Sequence, residues 1–125
     1  MPNERYERGE KLLRKIDGDK VADNLLEDYK DLAPDFARYL IEFAFGDVYA
    51  REGDAKHREL IAIASLATMG GCDKQLGTHV RGAFNVGLTE AEIVEAVMTL
   101  IPYIGFPKAL NALAVVKRVV DKREK

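Results

Sequence analysis

A single cysteine, Cys72, is present, so no disulfide can close within the chain and a bridge-stapled fold is excluded. Charge of one sign is not in excess either: 19 lysines and arginines stand against 21 aspartates and glutamates, for a formal charge of -2. Such a balance supplies no broad field for nucleic acid or an anionic membrane, and neither partner is expected. Charges, glycines or prolines are read as interrupting every apolar run before the roughly 18 residues of a membrane span accumulate. No basic start joins an apolar run near the N-terminus, so a secretory route finds no support and a cytoplasmic location is expected. Two histidines, His57 and His79, and the one cysteine form no tight ligand spacing, so no metal is expected. Glycine-rich phosphate loops and a serine nucleophile elbow are missing too, because Gly70-Gly71 follows a helical pattern rather than a strand. Chemistry without a cofactor is the expectation.

What is present is helical periodicity in an ordinary globular composition, 125 residues with 47% hydrophobic and 32% charged. Leu12, Leu13 and Ile16, then Leu25, Leu26 and Tyr29, predict two amphipathic helices parted near Gly18. Pro34 suits the first turn of a third helix, for which Phe36, Tyr39, Leu40, Phe43 and Ala44 predict the buried face and Gly46 the end. Asp47 to Asp54 reads as a turn. Leu60 to Ala67 predicts a helix buried nearly all round, followed by a helix from Asp73 to Val86 that stops at Gly87. Thr89 and Glu92 have the spacing of a capping box, opening a helix that Pro102 and Gly105 interrupt, and a last helix starts near Pro107. The fold class is therefore all-α, one domain over residues 1–125 with about six or seven helices. So short a chain cannot readily surround two helices that are apolar on several sides. Either further copies of the chain cover them, giving a homo-oligomer, or the N-terminal helices fold over the same surface.

Candidate chemistry concentrates between Gly71 and His79. Helical spacing aligns Cys72, Gln75 and His79 on one side, and Leu76, Val80, Ala83 and Phe84 make an adjacent buried stripe, which sets His79 at an inward-facing border. An imidazole titrates near neutrality and so can deliver or take a proton, whereas Gln75 and Thr78 can only donate or accept hydrogen bonds. Arg51, Arg58 and Arg81 are the candidates for gripping a substrate carboxylate in fork geometry, with Glu59 orienting one of them. Plainer readings compete. His79 also suits a bond to a backbone carbonyl, Cys72 a small apolar packing role, and Arg58, Glu59 and Arg81 the solvated charges of helix surfaces, with His57 exposed among its charged neighbours. A structural or binding module without catalysis is a third class.

The segments Gly46-Asp47-Val48-Tyr49-Ala50-Arg51, Arg58-Glu59-Leu60-Ile61, Gln75-Leu76 with His79, Gly87 to Ile93, and Tyr103 to Ala109 occur in an order that resembles the carboxymuconolactone decarboxylase and alkylhydroperoxidase D-like proteins. The resemblance spans residues 45–116. It implies an all-helical fold, trimers or hexamers of one chain, and a site at His79. It also implies loss of CO2 from a small carboxylated lactone, 4-carboxymuconolactone, to give the 3-oxoadipate enol-lactone, with His79 as acid. The peroxidase branch uses a Cys-x-x-Cys pair, and here Gln75 stands where the second thiol would be. A two-cysteine cycle within one site is thereby excluded. A thiol peroxidase working through Cys72 and an external thiol is the alternative, with Glu59 one residue off that branch's spacing.

Overall fold

A computed structural model describes residues 3–123 as six α-helices and one π-helical segment, with no strand among them. The chain divides into two compact units, Met1–Gly53 and Asp54–Lys125.

In the first unit, α1 (Glu4–Asp17) is capped by Asn3, whose side chain accepts from the Tyr6 amide, and α2 (Asp19–Tyr29) follows Gly18 at φ 97°. Leu13, Ile16 and Ala22 are buried as the helical spacing requires. Next, α3 (Pro34–Tyr39) runs without a break into the π-helical segment Leu40–Val48, where the Tyr49 amide still bonds the Ala44 carbonyl at 2.8 Å. Two expectations are corrected here. Gly46 does not end the helix, and the buried residues are Ala37, Ile41 and Phe45, whereas Phe36, Tyr39 and Phe43 are more than half exposed. Phe36 and Tyr39 are already open within the α-helical Pro34–Tyr39 stretch, and the inward side is the one that carries Ala37, Ile41 and Phe45 at every fourth residue.

That face packs against α1 through glycine. A β-carbon at Gly46 would lie 2.5 Å from the Arg5 carbonyl oxygen, and one at Gly9 would overlap the carbonyl of Ile41. Two backbones meet directly at this crossing. Around it Arg5 grips Asp47 through two bonds of 3.0 and 2.7 Å, and Arg8 donates to the Gly46 carbonyl at 2.8 Å. The Arg5 hydrogen bond holds the Asp47 carboxyl below the usual aspartate range. Buried Glu42 is satisfied within the unit by Asn3 at 2.8 Å and Arg38 at 3.4 Å.

The second unit is a helical trio: α4 (Ala55–Met69), α5 (Asp73–Asn85) and α6 (Glu90–Arg123). Gly105, at φ 81° and ψ 167°, breaks α6 into two limbs, while Pro102 is carried within the helix. Ile63 and Ala67 from α4, Leu76, Val80 and Ala83 from α5, and Ile93, Val97, Ala112 and Val116 from the two limbs form one core. The α4 helix is not buried all round: Glu59, Ile63 and Ala67 form a single inward stripe, and Ile61 and Met69 are open. Open too are Tyr103, Phe106 and Leu110 on α6. Corrected as well is the reading that no stretch reaches the length of a membrane span, since α6 has a window apolar enough by length and composition. One side of α6, with Ile93, Val97, Ala112 and Val116, lies in the core, and much of its remaining apolar surface is uncovered.

Capping follows the expected chemistry. Asp54 accepts from the Lys56 amide at 2.9 Å, Lys108 donates to the Thr68 carbonyl at the end of α4, and the Thr89–Glu92 box is closed by reciprocal bonds of 3.0 and 3.1 Å. Those Thr89 bonds hold the Glu92 carboxyl below the ordinary glutamate range. A depressed folded value means stabilisation that is complete above the ordinary range and lost as pH falls through the folded value. Thr89→Ala is expected to cost about 1 kcal/mol in urea unfolding at neutral pH. Wild type and Glu92→Gln are expected to converge in stability as the solution is acidified.

Candidate functional site

The buried stripe of α4 places Glu59 against α5. It is 1% exposed, five residues beyond the Asp54 cap, and so lies past the first helical turn where a solvated charge would sit. Its Oε2 lies 2.8 Å from Nδ1 of His79, and the imidazole side chain is 21% exposed. The surface-charge reading of Glu59 is corrected by that burial, and instead of orienting an arginine the carboxylate holds the imidazole. An ionised carboxylate can only accept, so with Glu59 ionised the hydrogen bond requires the proton on Nδ1, and Nε2 is then the nitrogen that can exchange protons. The second oxygen, Oε1, is buried with no hydrogen-bond partner.

A carboxylate removed from water costs several kcal/mol unless paired, so the imidazole is the group that makes this buried charge tenable. The converse holds as well, since a carboxylate behind the ring raises its basicity and fixes its tautomer. Such an arrangement is chemically able to transfer a proton.

The remaining candidates are placed less uniformly. Cys72 is a free, partly buried cysteine at the N-cap of α5, with φ -115° and ψ 39°. It directly precedes the first helical residue of α5, and Gln75, three residues on, is exposed. Thr78 donates to the Lys74 carbonyl at 3.2 Å and accepts from Arg81, which is itself exposed. Arg58, partly buried, precedes Glu59 on α4. Arg51 belongs to the first unit, whereas Glu59 and His79 are both in the second. His57 is 76% exposed and pairs with Asp54 at 3.1 Å, as its charged surroundings suggested. Among the described residues, no three His, Cys, Asp or Glu side chains gather as a metal-ligand set.

Sequence reasoning missed the direct Glu59–His79 bond. A detectable signal was present: Glu59 is on the same every-fourth-residue stripe as Ile63 and Ala67, which marks an acid facing the core. Buried Glu42 was also missed, because a charged residue beside the exposed Phe43 reads as a surface group.

The family model described as "Carboxymuconolactone decarboxylase family" matches residues 34–118. A 4-carboxymuconolactone decarboxylase from Acinetobacter baylyi is 32% identical over 117 residues, covering 93% of this chain and 87% of that protein. A nitrosuccinic acid decarboxylase from Metarhizium robertsii is 30% identical over 117 residues, covering 93% of this chain and 81% of that one.

Proposed function

The chain belongs to the carboxymuconolactone decarboxylase family, and we propose that it is a carboxy-lyase acting on a small carboxylated substrate, with 4-carboxymuconolactone as the first candidate. The observation that carries this reading is the buried Glu59 carboxylate on Nδ1 of His79. Loss of CO2 leaves an electron pair that must be delocalised, onto the lactone carbonyl oxygen through the ring double bond in 4-carboxymuconolactone, or onto the nitro group in nitrosuccinic acid. Either carbanion is quenched by one proton delivered to carbon. His79 gives that proton from Nε2, while Nδ1 keeps its own proton, held by the Glu59 carboxylate that offsets the charge of the imidazolium. Arg58 and Arg81 are the candidate grips for substrate carboxylates, and Gln75 is a candidate hydrogen-bond donor to the developing oxyanion.

The site needs no second thiol for this chemistry, and Gln75 stands where the peroxidase branch has one. A peroxidase through Cys72 alone requires a lowered thiol pKa and an external reductant. The assay that separates the two readings supplies 4-carboxymuconolactone, nitrosuccinate, and a peroxide with a dithiol to purified protein. Release of CO2 from an acid substrate, abolished in His79→Gln and retained in Cys72→Ser, is the expected result. Peroxide turnover abolished in Cys72→Ser, with no CO2 release, would reverse the assignment.

A homo-oligomer in the cytoplasm is part of the proposal. Ile61, Met69, Tyr103, Phe106 and Leu110, all more than 60% exposed on two helices of one unit, support burial against further copies of the chain. Light scattering after size exclusion is expected to return a multiple of 14.0 kDa. A monomer would remove this part.

A further inference from the structure

We propose that the Glu59–His79 pair also catalyses proton exchange at carbon, on small carboxylic acids bearing a C–H next to a nitro or conjugated carbonyl group, with no release of CO2. The inference rests on the decarboxylase reading and extends it to an activity on acids that have no carboxylate on the carbon bearing the exchanged hydrogen.

The structure makes the pair a base as readily as an acid. Glu59 is 1% exposed, only one of its two oxygens is bonded, and that oxygen is on Nδ1 of His79, so its charge bears on the imidazole rather than on solvent or on another cation. With Nδ1 protonated, the lone pair of the neutral ring is on Nε2 and is made more basic by the carboxylate behind it. The His79 side chain is 21% exposed, so it is not sealed inside the core as Glu59 is. The last step of decarboxylation is proton delivery to a delocalised carbanion, and a group that lowers the barrier in one direction lowers it in the other.

On 3-nitropropanoate, the acid left when nitrosuccinic acid loses one CO2, the steps balance without any redox partner. Nε2 takes a proton from the carbon beside the nitro group, and the C–H electron pair moves into a C=N bond and onto a nitro oxygen. In heavy water the imidazolium exchanges that proton for a deuteron and returns the deuteron to carbon. Net, C–H and D2O become C–D and HOD, and nothing is oxidised or reduced.

The test follows 3-nitropropanoate by proton NMR in D2O with the intact protein, and measures CO2 release from nitrosuccinate and 4-carboxymuconolactone in parallel. Signal from the methylene beside the nitro group is expected to disappear at least ~100-fold faster than in buffer, the lower end of general acid–base rate gains. His79→Gln is expected to return the rate to background, Glu59→Gln to lower it at least ~10-fold, and His57→Gln to leave it unchanged. Should His79→Gln fail to give a native circular dichroism spectrum, Glu59→Gln carries the test. Exchange at the buffer rate beside normal CO2 release would overturn this inference and leave the decarboxylase reading standing. Exchange without CO2 release from either acid would uphold the pair as a carbon-acid catalyst and remove the decarboxylase reading. Undiminished exchange in both folded variants would overturn it, and so would the absence of exchange and CO2 release together.

Discussion

Glu59→Gln is expected to lower CO2 release by roughly 10²- to 10⁴-fold while leaving the melting temperature equal to or above that of wild type. The two effects separate because they draw on different properties of one side chain. Turnover needs the negative charge that fixes the Nδ1 proton and offsets the imidazolium, and an amide cannot supply it. Folding, by contrast, is burdened by that charge, since the carboxylate is out of water and one of its oxygens has no donor. A neutral group of the same shape removes the burden. His79→Leu is the opposite case: it strands the buried carboxylate and is expected to cost about 3–5 kcal/mol in urea unfolding. Adding Glu59→Leu to His79→Leu should recover most of that loss, because two apolar groups need no partner. A double variant as unstable as the single one would show that the pair is not what ties Glu59 to the fold.

Gly9→Ala is the second large effect, and its direction runs against helix propensity. Alanine within a helix is ordinarily favoured over glycine by about 1 kcal/mol. At this crossing the added methyl would overlap the Ile41 carbonyl and lie 2.9 Å from the Gly46 amide nitrogen, both of them backbone atoms that cannot swing aside. Opening the contact between α1 and the π-helical segment is expected to cost about 2–3 kcal/mol net, the usual range for overpacking. Gly46→Ala, set against the Arg5 carbonyl, should behave in the same way. Gly77→Ala provides the contrast, since its nearest neighbours would be 3.6 and 3.7 Å away in ordinary contact. A gain in stability for Gly9→Ala, read from denaturant midpoints, would contradict the close backbone approach.

Much of this architecture is legible in the residues, and the failures have physical causes. Gly18, Gly87 and Gly105 mark real boundaries because each takes a positive φ that other residues avoid. Thr89 and Glu92 announce a helix start because their side chains reach each other's amides, as they do here. The face of the segment after Pro34 was not legible, because it carries apolar residues on more than one side, Phe36, Tyr39 and Phe43 open and Ala37, Ile41 and Phe45 inward, and spacing alone does not say which side packs. Gly46 misled for a related reason: glycine ends helices, but it also lets two backbones touch, and sequence alone does not distinguish the uses. At the site, the apolar neighbours of His79 on α5 mark it as a border residue, and Cys72 caps the same helix one residue before its start. Glu59 was suspected from its position but assigned to an arginine, since nothing in a linear spacing of 20 residues reports a bond between two helices.

The central claim is that Glu59 accepts a hydrogen bond from Nδ1 of His79 and so leaves Nε2 as the proton-exchanging nitrogen. Nitrogen-15 NMR of the two imidazoles measures this directly, with His57→Gln identifying the His79 signals. At a pH where the ring is neutral, the account predicts a protonated, pyrrole-like Nδ1 and an unprotonated Nε2, with the preference weakened in Glu59→Gln. A neutral ring protonated on Nε2, indifferent to Glu59→Gln, would contradict it.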